Sequence, residues 1–93
     1  MGKKTEKVKT VTFRLAGAPR GAKKIFLAGA FNNWSTDADR MTKDAKGVWT
    51  RTKRLAPGTY EYKFVVDGEW ITDPECAETV FNEHGTLNSV IRV

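Results

Sequence analysis

The sequence predicts an all-β fold, a small antiparallel sandwich of about seven strands. Three observations predict it. Short apolar or alternating runs recur along the chain, turns containing Gly or Pro separate them, and no convincing amphipathic helix is present. Ninety-three residues are enough for a single core but not for two. Apolar residues make up 40% of the chain and charged ones 29%, the balance of an ordinary soluble globular protein. No apolar run approaches the roughly 18 residues that a membrane helix needs, so no membrane partner is expected.

Taken in order, residues 1–9 form a basic N-terminal arm, and the domain proper is expected over 10–93. The arm is charged and leads into an alternating strand, unlike the apolar block of a signal peptide. Val11, Phe13 and Leu15 alternate with Thr12 and Arg14, which makes a half-buried first strand. Gly17, Pro19 and Gly21 then break any ladder. Lys24 to Ala30 is the second strand, and its apolar middle predicts a central position covered on both sides, or partly so. Thr36 to Lys46 reads as a loop or short strand with Met41 tucked inward. Gly47-Val48-Trp49 opens the third strand, which runs to about Leu55, and the polar run Thr50 to Arg54 predicts an edge defended by charge.

Ala56-Pro57-Gly58-Thr59 is a tight turn of type II character. The strand Tyr60 to Val66 follows, with Tyr60, Tyr62, Phe64 and Val66 on one face and Glu61, Lys63 and Val65 on the other. Asp67-Gly68 is the strongest short-range hairpin signal in the chain. As a two-residue turn it pairs Val66 with Glu69, Val65 with Trp70, Phe64 with Ile71 and Lys63 with Thr72. Trp70 and Lys63 therefore stand together on the face opposite the aromatic core face, displayed on the sheet surface. Beyond Pro74 an irregular stretch carries Cys76, Val80 and Phe81, and residues 82–88 form a polar loop. Ser89 to Val93 closes the chain as a short strand.

Several chemistries lack their residues. The chain has no phosphate loop, no zinc-type Cys/His spacing and no Ser-centred nucleophile elbow. Asp37 with Asp39, and Asp73 with Glu75, are read as solvated loop charges or turn caps. His84 has no second set of metal ligands, so neither a metal nor a cofactor is expected. Cys76 has no cysteine partner within the chain and reads as a small apolar filler; a single cysteine argues for a reducing compartment, the cytoplasm. An enzyme is not expected.

A binding surface remains. Gly29-Ala30-Phe31-Asn32-Asn33-Trp34-Ser35 sets a large ring in or beside a loop, where Trp34 either folds back over the core or forms an exposed platform. A second indole, Trp70, favours the platform. Sugars suit Trp faces flanked by hydroxyl-bonding Lys63, Thr86 and Asn88. Nucleobases stack on aromatics as well, with cations on phosphate. The net charge of +5 leans towards nucleic acid and the Asn-rich loops lean towards sugar.

Gly29-Ala30-Phe31-Asn32-Asn33-Trp34, the run Leu55 to Trp70, Asp73-Pro74 and Gly85 to Ile91 occur in an order that resembles carbohydrate-binding module family 48. This is the isoamylase N-terminal or early-set domain, which includes the glycogen-binding domain of the AMP-activated protein kinase β subunit. The resemblance covers about residues 10–93. It implies an immunoglobulin-like β-sandwich that binds α-1,4-linked glucans such as glycogen, starch and maltooligosaccharides without catalysis. By position, it implies Trp34 and Trp70 as stacking platforms, Lys63 and Asn88 as hydroxyl ligands, and Thr86 as a further contact. His84 falls where the kinase version carries a leucine that enters the glucan helix. The implied partners are an α-glucan and a glycoside hydrolase or other glycogen enzyme, with nucleic acid ranked behind. The same fold could instead serve as an interaction or regulatory domain docking on a glycogen-metabolising enzyme without strong sugar binding.

Overall fold

The computed structural model describes residues 7–93, so the first six residues of the expected basic arm lie outside the described residues. Among the described residues, eight strands run in the order β1 (Lys9–Leu15), β2 (Ile25–Gly29), β3 (Thr42–Lys43), β4 (Trp49–Leu55), β5 (Thr59–Val66), β6 (Glu69–Ile71), β7 (Thr79–Phe81) and β8 (Leu87–Arg92). A 3-10 turn, Ala30–Asn32, follows β2. The strands form two antiparallel sheets. One has three strands in the order β1-β4-β3; the other has five, in the order β2-β5-β8-β7 with β6 also paired to β5.

The alternating pattern places the core. Phe13 and Leu15 of β1, with Trp49 and Leu55 of β4, face Ile25, Leu27, Tyr62, Phe64 and Val66 of the larger sheet. Aromatic edges lock the interface: the Phe13 and Tyr62 rings meet T-shaped at 4.9 Å, and Tyr62 meets Phe64 at 5.9 Å. The Tyr62 hydroxyl donates to the Asp73 carboxylate at 2.6 Å, and burial together with that carboxylate pushes its pKa far upward. Met41 is fully buried, and Cys76 sits half-buried against the Glu78 and Val90 carbonyls.

Three sequence expectations change. β2 ends the larger sheet instead of running through its middle. Its free edge is nevertheless saturated, because Leu27 N–H donates to the Asp39 carbonyl at 2.8 Å and Met41 N–H to the Ile25 carbonyl at 2.8 Å. β4 is the middle strand of its sheet, paired to β1 along its length and to β3 at Trp49 and Thr50. Its charges are not edge protection: Arg51 and Lys53 lie on the same face as Trp49 and Leu55 and reach Asp39. At the 56–59 turn Gly58 takes φ 157°, a glycine conformation outside type II geometry.

Candidate functional site

The hairpin register follows the sequence expectation: Phe64 pairs with Ile71, Val65 with Trp70 and Val66 with Glu69. Asp67 and Gly68 both take positive φ, as a type I′ turn requires. The Asp67 carboxylate accepts the Lys23 and Lys24 amides at 3.1 and 2.9 Å, pinning the hairpin to the β1–β2 connection. Trp70 is consequently held on the outer face of the larger sheet, 45% exposed.

Trp34 reaches the same face from the other side. After the 3-10 turn the chain takes two successive left-handed residues, Asn33 at φ 58° and Trp34 at φ 59°. For a bulky side chain this conformation is an outlier that costs about 1–3 kcal/mol, and such strain gathers at functional sites. The Trp34 amide closes the turn on the Gly29 carbonyl at 2.8 Å. The turn packs tightly, since a Cβ on Gly29 would sit 2.7 Å from the Glu61 carbonyl and 2.7 Å from the Phe31 ring. The outcome is a half-buried indole whose centroid lies 6.4 Å from that of Trp70, tilted by 50°.

The third wall is the 82–88 loop. The Asn82 side-chain oxygen accepts the His84 and Thr86 amides at 2.9 and 3.1 Å, an Asx-type closure. Its amide donates to Thr86 Oγ1 at 2.7 Å and to Asn88 Oδ1 at 2.9 Å. Lys63 Nζ donates to Thr86 Oγ1 at 3.1 Å, and Asn88 Nδ2 donates to Glu61 Oε1 at 2.9 Å. Trp34, Trp70, Lys63, His84, Thr86 and Asn88 thus line one open groove of about 770 Å³.

Two of these residues sit differently from the sequence expectation. Lys63 is not displayed on the surface but only 7% exposed, forming the floor of the groove. Asn88 is buried, with both ends of its amide engaged inside the protein. The lining also includes Glu61, Asn82 and Glu83, which the sequence reading leaves out. Strand alternation carries a signal for Glu61, two residues before Lys63, and the Asn-before-Gly spacing carries one for Asn82. Among the paired carboxylates, Asp37 behaves as a loop cap bonded to Ser35, and Asp73 binds both the Glu75 amide and the Tyr62 hydroxyl. Asp39 departs from its reading as a solvated charge. It is 3% exposed, and it accepts from Asn32 at 2.7 Å, Arg51 at 2.8 Å and Lys53 at 3.0 Å.

The groove's unspent hydrogen-bonding capacity is definite. Thr86 Oγ1 already accepts two hydrogen bonds, so its O–H is free to donate outward. The Lys63 ammonium has two further N–H groups, and Asn88 has one. One lysine against two glutamates gives the groove a formal charge of −1 from its acidic and lysine side chains, on a chain of +5. Stacking faces beside a rim of donors and acceptors suit an uncharged, hydroxyl-rich ring better than a polyanion.

The family described as "Glycogen recognition site of AMP-activated protein kinase" matches residues 11–93. The chain belongs to this family. Among relatives of this chain, the AMP-activated protein kinase subunit beta-1 of Sus scrofa is 34% identical over 91 residues, covering 98% of this chain and 69% of the relative. The subunit beta-2 of Mus musculus is 37% identical over 73 residues, covering 78% of this chain and 26% of the relative. Protein PTST homolog 2, chloroplastic, of Arabidopsis thaliana is 45% identical over 56 residues, covering 60% of this chain and 10% of the relative. The chain thus spans only a part of the length of each of these relatives.

Proposed function

We propose that this domain is a non-catalytic module that binds α-1,4-linked glucans in the groove on the outer face of its larger sheet. The observation that carries the reading is the indole pair, 6.4 Å apart and beside the Lys63–Thr86 hydrogen bond. Glucose rings stack on Trp34 and Trp70. Lys63 Nζ, the Thr86 hydroxyl and the remaining Asn88 N–H donate to sugar oxygens, and the exposed His84 flanks the chain from the loop. Glu61, one of the two carboxylates lining the groove, accepts from Asn88, which supports a binding role over acid–base chemistry. The binding unit is the sandwich of residues 10–93, and a longer host protein would use it to hold a glycogen-metabolising activity at the polymer. The single cysteine, unpaired in the structure, supports a reducing compartment such as the cytoplasm.

A shallow groove with two platforms gives a modest affinity, on the order of micromolar to millimolar, after association entropy is met. Calorimetric titration with maltoheptaose at low and high salt tests the reading. The expected result is saturable binding with little salt dependence, because the ligand is uncharged. Failure to bind maltoheptaose, combined with salt-sensitive binding of a single-stranded oligonucleotide, would refute it in favour of nucleic acid.

A further inference from the structure

The strained turn that carries Trp34 is held from the opposite sheet. Asn32 Oδ1 accepts the Gly29 and Ser35 amides at 3.1 and 3.2 Å, while its Nδ2 donates to the Leu27 carbonyl at 3.0 Å and to Asp39 Oδ2 at 2.7 Å. Every one of these bonds clamps the segment that forces Asn33 and Trp34 into the left-handed region. Asp39 is the junction. Its Oδ2 also accepts from Lys53 Nζ at 3.0 Å, and its Oδ1 accepts from Arg51 Nε and Nη2 at 3.1 and 2.8 Å. Both cations rise from β4 in the three-stranded sheet, whereas Trp34 stands on the outer face of the five-stranded one. Lys53 further caps the Phe31 ring of the turn, with Nζ 5.5 Å from its centroid.

Packing alone does not demand this arrangement. A carboxylate almost wholly removed from water needs partners, and a residue held at an unfavourable φ persists only where its surroundings over-determine it. Burial pushes the Asp39 pKa up, but the hydrogen bonds from Asn32, Lys53 and Arg51 outweigh it and hold the carboxyl below its ordinary range. The junction therefore stays charged and fully bonded. Free to relax, the turn would leave the left-handed region and carry the indole away from Trp70.

We propose that Asp39, acting through Asn32, is the positioning residue that fixes the Trp34 platform against Trp70, so that the geometry of the binding groove is set by β4 of the opposite sheet. The inference rests on the glucan reading for what the platform binds, but not for what holds it.

The test reads both levels. Two indoles at 6.4 Å couple their transitions, so the ligand-free protein should show an exciton couplet in far-ultraviolet circular dichroism. Asp39→Asn and Asn32→Ala are expected to weaken that couplet and to reduce maltoheptaose affinity about tenfold, the share that one stacked ring carries. A control, Leu55→Ala, lowers the melting temperature through the core and is expected to leave couplet and affinity unchanged. If Asp39→Asn does not fold, Asn32→Ala decides alone, since it leaves Asp39 with both cations. A folded variant with wild-type couplet, with wild-type affinity, or with losses equal to those of Leu55→Ala overturns the proposal. If the wild type binds no maltoheptaose, the glucan reading fails, while the couplet still tests the positioning.

Discussion

Replacing Trp70 by alanine separates binding from folding. The ring is 45% exposed, and of the roughly 250 Å² that a tryptophan can bury, about 110 Å² is open to a ligand. At about 25 cal/mol per Å² full coverage would contribute close to 3 kcal/mol, and a sugar resting on one ring face covers about half of that. Trp70→Ala should therefore weaken maltoheptaose binding by about tenfold, equivalent to roughly 1.4 kcal/mol, and abolish retention on glycogen or amylose. The domain should stay folded, because Trp70 lies outside the core cluster, and the loss of its cover over Val65 should cost no more than about 1 kcal/mol. Isothermal calorimetry at 25 °C gives the affinity, and a thermal melt gives the stability. An affinity within twofold of wild type, at an unchanged melting temperature, would refute the platform role.

Other substitutions probe the supports. At position 34 glycine should be more stable than alanine by about 1 kcal/mol, the reverse of the usual order, because φ is 59°; both should lose binding, as melts and titrations would show. Gly29→Ala drives a methyl against the Glu61 carbonyl and the Phe31 ring, and should cost about 1–3 kcal/mol in denaturant unfolding along with weaker sugar binding. Tyr62→Phe strips Asp73 of its 2.6 Å donor and should lower stability by about 1–3 kcal/mol, with little effect on affinity. The Asp39 carboxyl sits below its ordinary 3.8, so the unfolded chain binds the proton first: its contribution to stability is complete above pH 3.8 and is lost as pH falls through the lower folded value. Melting temperature should accordingly fall less steeply with acid in Asp39→Asn than in wild type.

The parts of this fold that are legible in the sequence are those fixed by local geometry. A two-residue Asp-Gly turn sets the hairpin register, and the alternation of β5 then sends Trp70 and Lys63 to the same outer face. The parts that are not legible depend on partners far along the chain. Asp39 looks like one more loop charge until Arg51 and Lys53, 12 and 14 residues later, are folded onto it from the other sheet. The same pairing hides the reason for the polar middle of β4, which reads as an exposed edge when only neighbours in sequence are considered. Lys63 reads as displayed because alternation gives its side but not its cover; the walls above it are a turn after β2 and a loop before β8. The resemblance found in the motifs implies contact residues by position; Asn82 and Glu61 carry a local signal of place, from loop spacing and strand alternation, but their hydrogen bonds to Asn88 appear only once the strands are folded together.

The third indole has a use of its own. Trp49 is packed inside the sandwich, 8% exposed, with the Lys43 ammonium 5.7 Å from its ring centroid. A soluble quencher such as acrylamide should therefore find two optical populations in the native protein, an accessible pair and a shielded single. The shielded emitter is an internal standard: any occupant of the groove that protects the pair leaves it unaltered, whereas unfolding exposes all three together. Occupancy and integrity can thus be read from one unlabelled sample.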